Sequence, residues 1–167
     1  SRAVLVDLMR RAQELGDESA LPWLLFLLGD VERLLGNLDT ALDRAREGRA
    51  AAEQAGQRLF ARHNLALEGL VYAQLGRPDQ ARQATYRALE ATRDNYVPGV
   101  VAEALGQLDL TLGAPEEAVA HIEPRLAFVR AEAIAEPGAT RFTVDLIEAL
   151  VELGRRAEAL EILDWYE

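Results

Sequence analysis

The chain has 167 residues, half of them apolar and 28% charged, enough for one domain with a continuous core. Its formal net charge of −10 opposes phosphate binding. The densest basic stretch (Arg44, Arg46, Arg49) is interleaved with Glu47 and followed by Glu53, so direct nucleic-acid binding by this segment is not expected. With no cysteine there is no disulfide framework and no thiolate chemistry, and the longest apolar run, Leu21 to Gly29, is far shorter than a membrane span.

In chain order, apolar periodicity predicts an all-α protein of nine helices, at about 2–15, 19–35, 38–55, 58–75, 78–93, 97–112, 115–134, 138–153 and 156–167. The first reads as the orphan second half of a preceding repeat, closed by Gly16-Asp17-Glu18. The remainder form helix pairs over 19–55, 58–93, 97–134 and 138–167, in one domain covering 1–167. Ser19 reads as an N-cap. Pro22, Pro98 and Gly138 fall in opening turns of first helices, and Pro137 immediately precedes one. Pro124 lies inside the seventh helix, where the missing N–H predicts a kink. No signal peptide pattern is present, and the chain opens at Ser1 and stops inside a helical pattern. It reads as a piece excised from a longer cytoplasmic protein.

The pairs share one phrase: Leu35-Gly36-Asn37-Leu38-Asp39-Thr40-Ala41, Leu75-Gly76-Arg77-Pro78-Asp79-Gln80-Ala81, Leu112-Gly113-Ala114-Pro115-Glu116-Glu117-Ala118 and Leu153-Gly154-Arg155-Arg156-Ala157-Glu158-Ala159. The glycines are 40, 37 and 41 residues apart, and seven residues before the first three stand Gly29, Gly69 and Gly106, with Ile147 in the fourth copy. A turn glycine takes the left-handed cap conformation without steric cost. Pro78 and Pro115 suit the first helical position, and Asp39, Asp79 and Glu116 place negative charge at the positive end of the second helix. Ala41, Ala81, Ala118 and Ala159, with the upstream glycines, let paired helices approach closely.

This turn with its upstream glycine resembles the tetratricopeptide repeat, although units of 37 to 41 residues exceed the usual ~34. Longer units of this kind are similar to the repeat region of large ATP-dependent bacterial transcription activators of the LuxR type, the family that includes the maltose-regulon activator. Glu14-Leu15-Gly16-Asp17-Glu18-Ser19-Ala20-Leu21-Pro22 is similar to repeat junctions of actinobacterial members. Glu136-Pro137-Gly138 through Arg141-Phe142, then Asp145-Leu146-Ile147-Glu148-Ala149-Leu150-Val151-Glu152-Leu153-Gly154-Arg155, resembles a segment that recurs in them. The resemblance implies a right-handed superhelix between an N-terminal ATPase module and a C-terminal helix-turn-helix, sensing an inducer or a partner protein. Neither flanking module lies in this chain: without lysine there is no GxxxxGK phosphate loop.

Chemistry is poorly provided for. Serine occurs only at Ser1 and Ser19, which argues against a serine hydrolase, and the two histidines, His63 and His121, stand on different repeats without HExxH spacing. Glu117 and His121, i and i+4 on one helix, read as a surface pair rather than a metal site. The expectation is a non-catalytic module with no cofactor and no metal. It implies no membrane association, and a protein, peptide or small-molecule inducer as partner. The apolar end helices (Val4, Leu5, Leu8, Met9; Leu160, Leu163, Trp165) suggest self-association. The resemblance places the binding groove on the first helix of each pair, 13, 10, 6 and 3 residues before each turn glycine. That stripe holds Trp23, Phe26, Asp30 and Arg33; His63, Ala66, Leu70 and Ala73; Val100, Glu103, Gln107 and Leu110; and Arg141, Val144, Glu148 and Val151. Trp23, Phe26, Asp30, Arg33, His63, Glu103, Gln107, Arg141 and Glu148 are the candidate contacts. The alternative function is a stand-alone scaffold that assembles protein partners without a role in transcription.

Overall fold

In a computed structural model of the chain, residues 2–90, 97–134 and 140–166 are described. They form helices α1 (Arg2–Glu14), α2 (Leu21–Leu34), α3 (Leu38–Gln54), α4 (Arg58–Gln74), α5 (Pro78–Leu89), α6 (Val97–Thr111), α7 (Pro115–Ala131), α8 (Phe142–Glu152) and α9 (Arg156–Tyr166), with a 3-10 turn at Glu18–Ala20. The described residues are all-helical, without strands.

Local chemistry explains the boundaries. At the end of α2, Gly36 takes a φ of 81°. Its N–H donates to the Arg33 carbonyl (2.9 Å) while Asn37 N–H donates to that of Glu32 (2.9 Å). These two bonds satisfy carbonyls that the helix end would otherwise leave open. The same pair closes α8: Gly154 N–H reaches Val151 (3.0 Å) and Arg155 N–H reaches Leu150 (2.8 Å). Pro78 and Pro115 open α5 and α7, and Asp39, Asp79 and Glu116 lie in first turns as the charge argument requires.

Some expectations need correcting. The α-helix of the first pair begins at Leu21, after the 3-10 turn, and has no side-chain cap of its own; the 3-10 turn before it is capped by Asp17 rather than Ser19. The Asp17 Oδ1 accepts from Ser19 N–H (3.2 Å) and Ser19 Oγ–H (2.6 Å). The last pair's first helix begins at Phe142, not 138; Pro137 and Gly138 lie outside the described residues, as do 91–93 at the expected end of α5. Helix α7 runs from Pro115 to Ala131 with Pro124 inside it. His121 is held by Asp109 (Nδ1 to Oδ2, 2.7 Å), on the neighbouring helix α6, instead of pairing with Glu117.

The small residues do what close packing demands. A Cβ on Gly29 would stand 2.9 Å from Leu67 Cδ2 and 3.3 Å from the Ala41 carbonyl oxygen. One on Gly69 would stand 2.6 Å from Thr85 Cγ2 and 3.3 Å from the Ala81 carbonyl. At Gly106 the obstruction is Ile122. Each upstream glycine thus abuts the partner helix of its own pair, and Ala41, Ala81 and Ala118 are fully buried there.

Each helix packs on the next in sequence, and the first helices also touch one another: α2 with α4, α4 with α6, α6 with α8. Among the described residues no such packing joins α3 to α5 or α5 to α7. First helices therefore line the tighter, inner side of a curved stack, and second helices splay apart on the outer side. The core runs as two clusters, one from α2 to α6 and one from α6 to α9, both drawing on α6. At the ends Val4, Leu8, Leu160, Leu163 and Trp165 remain exposed.

Candidate functional site

The stripe on the inner side resolves into two clusters. Near the start of α2, Trp23 stacks on Phe26 with ring centroids 5.2 Å apart and an interplanar angle of 16°. His63 of α4 stands 5.6 Å from Trp23 and 5.7 Å from Phe26, and Phe60 lies 5.8 Å from Trp23 and 6.0 Å from His63. These separations suit offset and tilted ring contacts. Phe26 and His63 are buried, whereas Trp23 is partly open.

The second cluster is ionic and spans three repeats. Arg33 donates through Nε (3.0 Å) and Nη2 (2.9 Å) to Asp30 Oδ1, and its Nη2 lies 3.2 Å from Glu103 Oε1. Arg141 closes the circuit, with Nη1 3.1 Å from Asp30 Oδ2 and Nε 3.4 Å from Glu103 Oε2. Two guanidiniums and two carboxylates thus alternate in a ring, each carboxylate offering one oxygen to each arginine. The Arg33 and Glu103 side chains are 3% and 7% exposed, so neither is reachable unless the ring opens. Asp30 (13%) and Arg141 (27%) form its accessible edge. Helix α4 lies between α2 and α6, and at its stripe positions it carries the buried Ala66, Leu70 and Ala73; the two alanines leave room for the arginines to reach across.

Beside the ring, Asp145 of α8 is pushed up to about 7, first by burial and then by the charges of Glu103 and Glu148; a hydrogen bond from Gln107 and the Arg33 charge oppose the rise. Its Oδ2 is buried without a hydrogen-bond partner. Gln107 also accepts from Gln74 Nε2 of α4 (3.1 Å), and Glu148 is exposed. Of the nine candidate residues, the structure therefore joins Trp23, Phe26 and His63 in one cluster. Asp30, Arg33, Glu103 and Arg141 form the other, with Gln107 and Glu148 at its margin. Phe26, Arg33, His63 and Glu103 are interior, leaving Trp23, Asp30, Gln107, Arg141 and Glu148 for a partner to touch.

Phe60 and Asp145 join these clusters without belonging to the candidate set. For Phe60 the reason is a shift between neighbours. Trp23 and Phe26 stand 13 and 10 residues before Gly36, while Phe60 and His63 stand 16 and 13 before Gly76. Gln74 stands 2 before its glycine and its partner Gln107 stands 6. Contacts on the inner face thus run diagonally, losing about one helical turn per repeat, and a stripe drawn in one register misses the early positions. Phe60 carried a signal, as an aromatic residue one turn before His63.

Among the described residues, no group of three His, Asp or Glu side chains is placed to hold a metal ion, and no helix is long and apolar enough to cross a membrane.

A curved stack of helix pairs, closed by left-handed glycine turns and tied across its inner face, defines a helical-repeat protein. Residues 22–47, 60–84 and 140–165 match the sequence profile of the tetratricopeptide repeat, so these stretches are similar to that family. Such repeats make protein-interaction domains. The matched stretches fall in the first, second and fourth pairs. The third, α6 and α7, lies outside them although it carries the turn phrase, and it is the pair with a proline inside its second helix. Comparison with curated proteins returned no match.

Proposed function

We propose that this chain is the non-catalytic sensing and protein-interaction region of a LuxR-type, ATP-dependent bacterial transcriptional regulator, working in the cytoplasm and taking its partner or inducer on the inner face. The observation that carries the reading is the ionic ring, because it ties the first repeat to the third and fourth. A partner that competes for Asp30 or Arg141, at the accessible edge, changes the balance between a wound and a relaxed stack. That change is mechanical, and it passes to whatever flanks the repeats. The regulator context is supported by the family-like segment that runs from Arg141-Phe142 to Arg155, whose first residue is a member of the ring.

The full-length gene tests this. The expected result is a phosphate loop encoded upstream and a helix-turn-helix downstream. Finding neither overturns the regulator assignment and leaves a stand-alone scaffold. In the full-length protein, Arg141→Gln is expected to alter inducer-dependent DNA binding while leaving the flanking ATPase module folded.

A further inference from the structure

On the outer side of the stack α3 and α5 both pack on α4, but among the described residues no packing joins them to each other, so a groove runs between them over α4. It holds a cavity of about 180 Å³. That is smaller than the usual enclosure of a free small molecule, and enough for one polar side chain. Glu68 and Tyr72 of α4 form the floor, Arg49 of α3 stands on one wall, and Gln80, Gln83 and Arg87 of α5 stand on the other.

The charges around this cavity are unevenly paired. Glu68, its side chain 5% exposed, is held by Arg49 Nε (2.5 Å), and Nη1 of the same arginine meets Glu53 at 3.1 Å. Arg46, one turn earlier on α3, donates from Nη2 to the Tyr72 hydroxyl oxygen (2.8 Å) and not to a carboxylate. Arg87 is exposed and, among the described residues, makes no ion pair or hydrogen bond, although Glu90 stands one turn further on. Two of the three guanidiniums therefore lack a carboxylate partner, in a chain whose formal net charge is −10, while the one acid in the lining is already neutralised. The Tyr72 hydroxyl and the Gln80 and Gln83 amides add neutral donors beside them. A single carboxylate suits this setting, because a guanidinium engages it through paired N–H groups. A phosphate group, with nearly two negative charges, would set the second of them against Glu68.

We propose that this outer groove is a second protein-interaction surface, one that takes an acidic segment of a partner protein with a glutamate or aspartate carboxylate seated on Arg87 beside Arg49. None of its residues belongs to the ionic ring or the aromatic cluster, so it survives or fails independently of the inner-face reading. End-blocked hexapeptides alternating alanine with glutamate, glutamine, lysine or phosphoserine serve as probes. They are titrated at low salt into the nitrogen-15-labelled chain and followed by backbone amide and arginine Nε–H shifts. The glutamate peptide is expected to give saturable shifts along α3, α4 and α5 and to bind about tenfold more tightly than the glutamine peptide, the factor of one charge-assisted hydrogen bond. The lysine peptide should bind there most weakly, although the net charge of the chain attracts it. Arg87→Gln, at an exposed position that leaves the fold intact, should bring the glutamate peptide down to the level of the glutamine one. Arg156→Gln, at an exposed arginine on α9, should leave its binding unchanged. Equal binding of the glutamate and glutamine peptides, equal losses in the two variants, or shifts confined to the inner face or the end helices each overturns the proposal. So does tighter binding of the phosphoserine peptide, or no saturation at millimolar probe.

Discussion

At the Trp23 end of the inner face, four rings from α2 and α4 meet, and one repeat is joined to its immediate neighbour. At the Arg141 end, two guanidiniums and two carboxylates make the junction, and they link the first repeat to the third and fourth, neither of them its neighbour in sequence. The aromatic cluster gains from apolar burial and close packing, which are non-directional and nearly indifferent to salt. The ionic ring gains only while every charge is paired, since unpaired buried charge is costly. The first cluster is accordingly a fixed joint. The second is a fastening that charge can open, and it is the part of the inner face suited to regulation.

Four measurements break or sharpen this contrast. The largest effect is expected from Phe26→Ala, because Phe26 is 1% exposed: a loss of about 3–5 kcal/mol in urea unfolding, equal at low and high salt. A loss below about 1 kcal/mol shows that the aromatic cluster is not a joint. Next comes Glu103→Gln, which leaves two guanidiniums facing one carboxylate. A loss of about 2–3 kcal/mol is expected, and a double-mutant cycle with Arg141→Gln should return coupling of about 1 kcal/mol. Additive effects would mean that the ring does not act as a unit.

Asp145→Asn reverses the sign. The folded-state carboxyl titrates at about 7, above the ordinary 3.8, so between those values the folded chain binds more protons than the unfolded one. Stability therefore falls as pH rises through that window and levels off above about 7. The asparagine variant should match the unaltered chain near the lower limit and exceed it above the upper one. The gain, reduced for the partial exposure of the group, is about 2 kcal/mol. Thermal unfolding across the window reads it directly, and parallel pH profiles for the two chains refute the assigned environment. The smallest effect is expected from Arg141→Gln, at the accessible edge: less than about 1 kcal/mol, vanishing at high salt. A larger, salt-independent loss would put Arg141 among the fixed joints.

Much of the fold was legible because its determinants are local. A left-handed turn needs glycine, an N–H-free first position admits proline, and a helix end favours opposite charge, so the phrase around Gly36, Gly76, Gly113 and Gly154 marks helix boundaries to within a few residues. Even the close approach of Gly29 to Ala41 and of Gly69 to Ala81 follows from residue size at fixed spacing. The exceptions are equally physical. Asp17 displaces Ser19 as a cap because its carboxylate reaches both the serine N–H and the hydroxyl. His121 turns from Glu117 on its own helix to the buried Asp109, whose other oxygen Arg82 already binds.

The candidate site was legible only in part. The family resemblance placed Asp30, Arg33, Glu103 and Arg141 on one stripe, but it does not say that Arg33 meets Glu103 across α4, or that Phe60 joins Trp23 and His63. By itself the sequence determined the nine helices found among the described residues and the turns between them, since backbone hydrogen bonding, capping and residue size act over a few positions. Only the tertiary structure decided which inward residues are neighbours, which of them are sealed and which stay open to a partner. That depends on the offset of about one turn between successive first helices, set by how whole helix surfaces pack rather than by any short stretch of chain.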